Sequence, residues 1–160
     1  KLLFNTGYRY VYFYRKASFY KKNSIFRWFY FIFLRRMQLK YSIQISDRTK
    51  IGYGLYIGHI GPIIISHNVI IGTNCNINHG ITIGQTSRGP KKGAPSIGNN
   101  VWFGTNSIVV GKIKIGDNVL IAPGAFVNFD VPSDSIVIGN PGKIIPKKNA
   151  TKNYIKRTKD

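Results

Sequence analysis

The feature that most constrains this chain is a period of six. Aliphatic or aromatic residues recur at every sixth position in three phased blocks. The first is Ile51, Ile57, Ile63; a two-residue shift leads to Ile65, Ile71, Ile77, Ile83; after a longer insertion come Ile97, Phe103, Val109, Ile115, Ile121 and Val127. Glycine follows many of them, as at Gly52, Gly58, Gly72, Gly84, Gly98 and Gly104. A small or aliphatic residue stands four places on, as at Val69, Cys75, Ile81 and Ser107. Six is neither the helical period nor the alternation of a plain strand. It suits a short strand followed by a tight corner. The first residue of each hexapeptide then points inward, and Gly or Asn takes the corner conformations with φ > 0 that β-branched residues resist. Three sides make a coil of about 18 residues, so residues 46–132 hold about five coils. The expectation is an all-β parallel β-helix in which each coil buries its apolar edge on the next.

Two stretches leave the pattern. Residues 85–96 (Gln-Thr-Ser-Arg-Gly-Pro-Lys-Lys-Gly-Ala-Pro-Ser) insert about eight polar and Gly/Pro-rich residues, which must leave the prism as a loop. Gly139-Asn-Pro-Gly-Lys143 reads as a turn before a final strand. The organisation expected is an N-terminal segment over 1–42, the β-helix over 43–146 and a basic, frayed tail over 147–160.

The N-terminal segment differs in kind. Residues 1–42 carry ten Lys/Arg, no acid, and fifteen of the 22 aromatics. Ile25 to Leu34 is apolar except for Arg27, which is about half the length a helix needs to span a bilayer. A helical segment fits two roles: lying on a membrane surface with basic side chains on anionic headgroups, or capping the open end of the solenoid. Nucleic-acid stacking has no matching fold motif, so no nucleic-acid partner is expected. Across the whole chain 24 Lys+Arg face five acids, all Asp, for a net charge of +19. That reads either as compositional drift toward lysine or as affinity for an anionic partner. The lone Cys75 and the lack of a signal peptide point to the cytoplasm, at the inner face of the membrane if residues 1–42 meet lipid. The chain begins at Lys1 and its only Met is Met37, so the natural N-terminus is expected upstream.

The chemistry is restricted by what is missing. With no Glu and five scattered Asp, a two-carboxylate mechanism has no support, and the CxxC, HExxH, P-loop and GxSxG motifs are absent. Three histidines remain: His59, His67 and His79. His59 and His79 hold the same place in their hexapeptides and are separated by one coil plus the two-residue shift, so they should stack on one side of the prism. His67 is out of phase, and a three-histidine zinc site is not expected. Acyl transfer from a thioester to an alcohol needs only a base, oxyanion donors and a site that holds both substrates, and one imidazole can be that base.

Three stretches carry a specific resemblance: Lys50-Ile-Gly-Tyr-Gly-Leu-Tyr-Ile-Gly-His59-Ile-Gly-Pro-Ile-Ile-Ile-Ser66, Asn78-His-Gly-Ile-Thr-Ile-Gly84 with the loop after it, and Val137-Ile-Gly-Asn-Pro-Gly-Lys-Ile144. They resemble the hexapeptide-repeat serine acetyltransferases and their polysaccharide O-acetyltransferase relatives over roughly residues 43–146. The resemblance implies left-handed coils, a homotrimer, and His59 as general base at a subunit interface beside the neighbour's loop. It implies acetyl-CoA as co-substrate, without a metal, along backbone at Gly104, Thr105, Ala122 and Pro123, with Lys143 and Lys147 for its phosphates. Lys91 and Lys92 would serve the same phosphates or an acidic acceptor. His79 is either a substrate-binding neighbour or a satisfied corner histidine. Three departures bear on the acceptor. Ala94 stands where the family's second active-site histidine would be. Gln44 stands where an acid orients the catalytic imidazole. The family's large helical N-terminal domain has no counterpart, residues 1–42 taking its place. A sugar or glycan hydroxyl, free or lipid-linked, is therefore expected ahead of serine, with a non-catalytic binding scaffold as the alternative of another class.

Overall fold

The computed structural model describes residues 5–155. From Ile43 onward the chain winds into a left-handed parallel β-helix of hexapeptide repeats, about five turns long. One side stacks β1 (Ile43–Ile45), β4 (Ile63–Ile65), β7 (Thr82–Gly84), β10 (Ile108–Val110) and β13 (Phe126–Val127). The second stacks β2 (Lys50–Ile51), β5 (Ile70–Ile71), β8 (Ser96–Ile97) and β11 (Lys114–Ile115). The third stacks β3 (Tyr56–Ile57), β6 (Asn76–Ile77), β9 (Trp102–Phe103), β12 (Val119–Ile121) and β14 (Ser135–Ile138). It ends on β15 (Lys143–Pro146), which turns back antiparallel to β14.

All thirteen phased residues lie in the core, as do Val69, Cys75, Ile81 and Ser107 four places after a repeat start. Each fully buried Ile or Val removes apolar surface worth about 1.5–3 kcal/mol. Burial pushes the Cys75 thiol up to about 12, so in this fold it is a packing residue and not a nucleophile.

Register explains the breaks in phase. Ile57 lies on Ile77 and Ile65 on Ile83, eight positions against six, so the corner between β3 and β4 holds two extra residues. Thr82 lies on Ile108, whereas Ile108 lies on Phe126, twenty-six positions against eighteen. The eight extra residues are the loop between β7 and β8.

Glycine takes positive-φ corners as expected at Gly54, Gly80 and Gly124, three places after a repeat residue, but the glycines that directly follow one do a different job. Those that follow a repeat residue do not have positive φ; Asn74, Asn100, Asn106 and Asn118, three places after a repeat residue, turn the corners at φ 55, 53, 58 and 55°. The glycines are needed because stacked coils approach too closely for a side chain. A Cβ on Gly72 would sit 2.5 Å from the Gly98 carbonyl oxygen.

Residues 5–42 form a helical hairpin of α1 (Thr6–Phe19) and α2 (Ile25–Tyr41) that caps the first coil. Asn5 starts α1 by accepting from the Tyr8 amide. Gly7, Tyr10, Tyr14 and Ala17 form the buried stripe of α1, and Leu34 and Met37 the buried positions of α2. Carbonyls that the coil edge would leave bare are taken up from above. Tyr14 Oη donates to Thr49, Arg15 to Ile51 and Gly52, and Gln38 Nε2 to Ile45 at 2.7 Å. Arg27 pairs with Asp47, the one salt bridge among the described residues.

The tail is not frayed over its described part. Thr151 N and Oγ1 donate to Asn118 Oδ1 at 3.1 and 2.6 Å, and the Tyr154 ring packs tilted against Trp102 with centroids 4.8 Å apart. Polar corner groups hold the tail elsewhere too: Asn149 N donates to Asp134 Oδ1 at 3.2 Å, and Asn76 Nδ2 to the Tyr154 carbonyl at 3.1 Å. Residues 156–160 of that expected tail lie outside the described residues.

Candidate active site

The corner that leads from the third side to the first runs the length of the solenoid, and the residues of interest line up along it. Ile57, Ile77, Phe103 and Ile121 are stacked partners, so the residues after them are stacked too. Gly58-His59, Asn78-His79, Gly104-Thr105 and Ala122-Pro123 thus form successive rungs. Coils are about 4.8 Å apart, so His59 to Pro123 spans about 14 Å. The rungs are tied by backbone bonds: Gly58 N to Ile77 O at 2.9 Å, Asn106 N to His79 O at 3.2 Å, Gly124 N to Thr105 O at 2.9 Å.

His59 occupies the corner with two extra residues. The chain there, Gly58 to Pro62, bows out of the prism, and His59 is exposed at its crest. His79 lies one coil along, half-buried. The two rings meet edge to face, with centroids 6.0 Å apart and planes at 90°. This approach needs a bare neighbour: a Cβ on Gly61 would lie 2.8 Å from the His79 Cβ. Beneath the pair, buried Asn78 donates from Nδ2 to the Phe103 carbonyl at 2.8 Å and leaves no space for a side chain on Gly58. Sequence reading missed Gly61 and Asn78. The signal was present, since the phase shift falls between Ile63 and Ile65, just after this corner.

Gly104 is buried, and a Cβ on it would collide with the backbone of Ala122 and Pro123. The later rungs therefore present an almost bare backbone edge. Lys143 pairs with Ile138, which follows Val137 on the next rung, so it stands at the end of the same corner. Lys147 does not. The reversal into β15 carries it to the opposite edge of the third side, where its amide donates to Asp134 O at 2.7 Å.

The loop after β7 is pinned by an antiparallel bridge between Thr86 and Gly93 and by Thr86 Oγ1 donating to Lys91 O at 2.6 Å. Lys91 Nζ is committed to the Asn128 carbonyl at 2.6 Å, whereas Lys92 is exposed. Ala94 is half-buried against the core. Gln44 is not brought to His59. It points outward from β1 into an open cavity lined by Arg35, Ser46, Arg48, Ile64 and His67, and among the described residues no hydrogen bond joins it to His59. The strand alternation that buries Ile43 and Ile45 sends Gln44 onto the flat face of the first side. Among the described residues no cluster of three His, Cys, Asp or Glu could hold a metal.

Comparison with known proteins gives consistent matches. Residues 94–128 match the family model described as bacterial transferase hexapeptide (six repeats), and residues 62–88 match hexapeptide repeat of succinyl-transferase. A serine acetyltransferase of Helicobacter pylori is 38% identical over 124 residues, covering 76% of this chain and 72% of that protein. One from Synechococcus elongatus is 39% identical over 103 residues, covering 64% of this chain. The chain spans only 42% of that protein's length, and 31% and 42% of two Arabidopsis thaliana serine acetyltransferases. Among solved structures, serine acetyltransferase from Brucella abortus superposes with TM-score 0.78 at 27% identity, covering 92% of this chain and 60% of that one. Soybean serine acetyltransferase complexed with serine gives 0.76 at 26% identity, covering 89% and 58%. The Brucella abortus protein in complex with coenzyme A gives 0.78 at 25% identity, covering 91% and 58%.

Proposed function

Since the chain belongs to the serine acetyltransferase family of hexapeptide-repeat transferases, we propose that it moves an acetyl group from acetyl-CoA to an alcohol, with L-serine as the leading acceptor. The observation that carries this reading is the continuous corner, with a histidine pair at one end and a bare backbone edge along the rest. Relatives solved with serine and with coenzyme A support the two substrates. Their names move the acceptor from the sugar expected from sequence to serine, the alternative.

In this reading His59 accepts the proton of the acceptor hydroxyl as the oxygen attacks the thioester carbonyl. The tetrahedral intermediate collapses with loss of the C–S bond, and the imidazolium returns the proton to the leaving thiolate. His79 stands where it can orient the acceptor, and Lys92 where it can meet a carboxylate or phosphate. Coenzyme A lies along Gly104, Thr105, Ala122 and Pro123 with its phosphates toward Lys143. The active unit is a homotrimer. Its support in this chain is the outer row of the first side, where Ile64 and Ile108 are exposed at 42% and 37%.

The sugar reading keeps one specific observation: Ala94 brings no histidine from the loop, and among the described residues Gln44 makes no hydrogen bond to His59. A single assay separates the readings. Thiol release from acetyl-CoA is followed with L-serine in one set and a sugar and glycan panel in the other, for wild type and His59→Ala. The expected result is release with serine, lowered about 10²–10⁴-fold by the substitution. Release with a sugar alone moves the acceptor class, and release unaffected by His59→Ala removes the proposed base.

A further inference from the structure

The hairpin that caps the solenoid has a second face, pointing away from it. Around α2 the residues facing inward are Arg27, Tyr30, Leu34, Met37 and Gln38, and the other side is open. In its first turns that side carries Ile25, Trp28, Phe29 and Ile32, exposed at 78, 57, 54 and 52%. In its last turns it carries Arg35, Arg36 and Lys40, all exposed. Phe19 at the end of α1 adds a ring that is 80% exposed. Aromatic contacts knit the helices across the top, with Phe13 stacked on Phe33 at 5.3 Å and Tyr20 on Tyr30 at 5.6 Å. This is an apolar patch beside a basic one on a rigid support, too large and too aromatic to be ordinary surface.

What covers it must bring negative charge. A second copy of the hairpin does not, because residues 1–42 contain no acid. The described remainder of the chain offers only four carboxylates, each already tied by a hydrogen bond or ion pair. Asp47 is paired with Arg27, Asp117 accepts from the Asn99 amide at 2.6 Å, Asp130 from the Lys114 amide at 2.8 Å, and Asp134 from Asn118. Nucleic acid would supply charge and could stack on Trp28 and Phe29, but it would leave the aliphatic Ile25, Ile32 and Leu39 of the same helix uncovered. A lipid bilayer supplies both halves: acyl chains for the apolar turns and anionic headgroups for the basic ones. No helix among the described residues is long and apolar enough to cross a membrane. We propose that the outer face of the α1–α2 hairpin docks side-on against an anionic lipid surface, holding the solenoid with its capped end toward the membrane.

The test is co-sedimentation of the full chain with vesicles of phosphatidylcholine alone and of phosphatidylcholine with about one-quarter phosphatidylglycerol at about 0.1 M salt, where the Debye length is about 10 Å. The mixed vesicles should bind on the order of tenfold or more tightly, and should shift Trp28 emission to the blue in a Trp102→Phe background. Arg35→Gln/Arg36→Gln/Lys40→Gln should lose on the order of tenfold or more of that binding. Trp28→Ser/Ile32→Ser should lose it without changing the circular dichroism, since neither side chain is in the core. The idea fails if both vesicle types bind alike or not at all. It also fails if oligo(dT) binds where vesicles do not, or if Trp28→Ser/Ile32→Ser instead dissolves a dimer of the chain. Acetyl transfer to a soluble acceptor is a separate readout, so failure here leaves the proposed reaction untouched.

Discussion

Gly72 and Gly84 both follow an inward isoleucine and look alike in the sequence, yet they sit in different surroundings. A methyl group on Gly72 would press into the Gly98 carbonyl at 2.5 Å, on backbone held by the next coil. At Gly84 the loop leaves the prism, and the nearest atom a Cβ would meet is Val110 Cγ1 at 3.4 Å. Gly72→Ala should therefore cost about 1–3 kcal/mol, and Gly84→Ala should stay within about 0.5 kcal/mol. Urea denaturation of the two variants beside wild type measures the difference, and equal costs would mean that close stacking is not why the glycines are there. The period alone told which residues face inward, because burial of a side chain sets that pattern. It could not tell why glycine follows. A residue chosen for positive φ, such as Gly54 or Gly80, and one chosen for lack of a Cβ, such as Gly72, carry the same letter.

At the scale of elements, the hairpin is held to the first coil by polar reach as much as by apolar packing. Tyr14 delivers its hydroxyl to the Thr49 carbonyl from within the core, and burial pushes that phenol up to about 12 from 10.0. Burial lowers the Arg15 guanidinium from its usual value, with Tyr14 and Tyr53 acting against that fall. Tyr14→Phe leaves the carbonyl without its donor and should cost about 1–3 kcal/mol at neutral pH. Alkali provides a second readout. The folded state holds the Tyr14 proton more tightly than the unfolded chain does. The stability this confers is complete below pH 10 and is lost as pH rises through about 12. Tyr14→Phe should thus show a shallower fall in urea midpoint between about pH 9.5 and pH 11 than wild type; an unchanged slope would detach Tyr14 from the cap. The sequence left capping and membrane contact open because composition reports an amphipathic helix without saying which face meets what. The stripe Gly7, Tyr10, Tyr14, Ala17 assigns one face, and the polar bonds to Thr49, Ile51 and Gly52 fix it in place.

Over the whole molecule, residues that share a rung were legible in the sequence and residues related through a change of chain direction were not. His59 and His79 came together because repeat spacing is a map of the solenoid. Gln44 faces another cavity and Lys147 lies behind a reversed strand, and spacing to a distant family motif carries no information on either. Charge is the property that only the whole molecule displays. Positive side chains outnumber negative ones 24 to five, and Arg27–Asp47 is the one salt bridge among the described residues. Added salt therefore has little attraction to screen and much repulsion, which opposes the compact state. Raising NaCl from about 0.02 M to about 0.3 M shortens the Debye length from about 20 Å to under about 6 Å. Relief of about 1–2 kcal/mol of self-repulsion corresponds to a Tm higher by about 2–8 °C for a chain of this size. Sodium sulfate and sodium chloride at equal ionic strength should agree within about 2 °C if screening is the cause, since exclusion from the surface acts more strongly for sulfate. A Tm that falls with chloride would mean that attractive surface pairs hold the fold together, against the bonding seen for Asp117, Asp130 and Asp134.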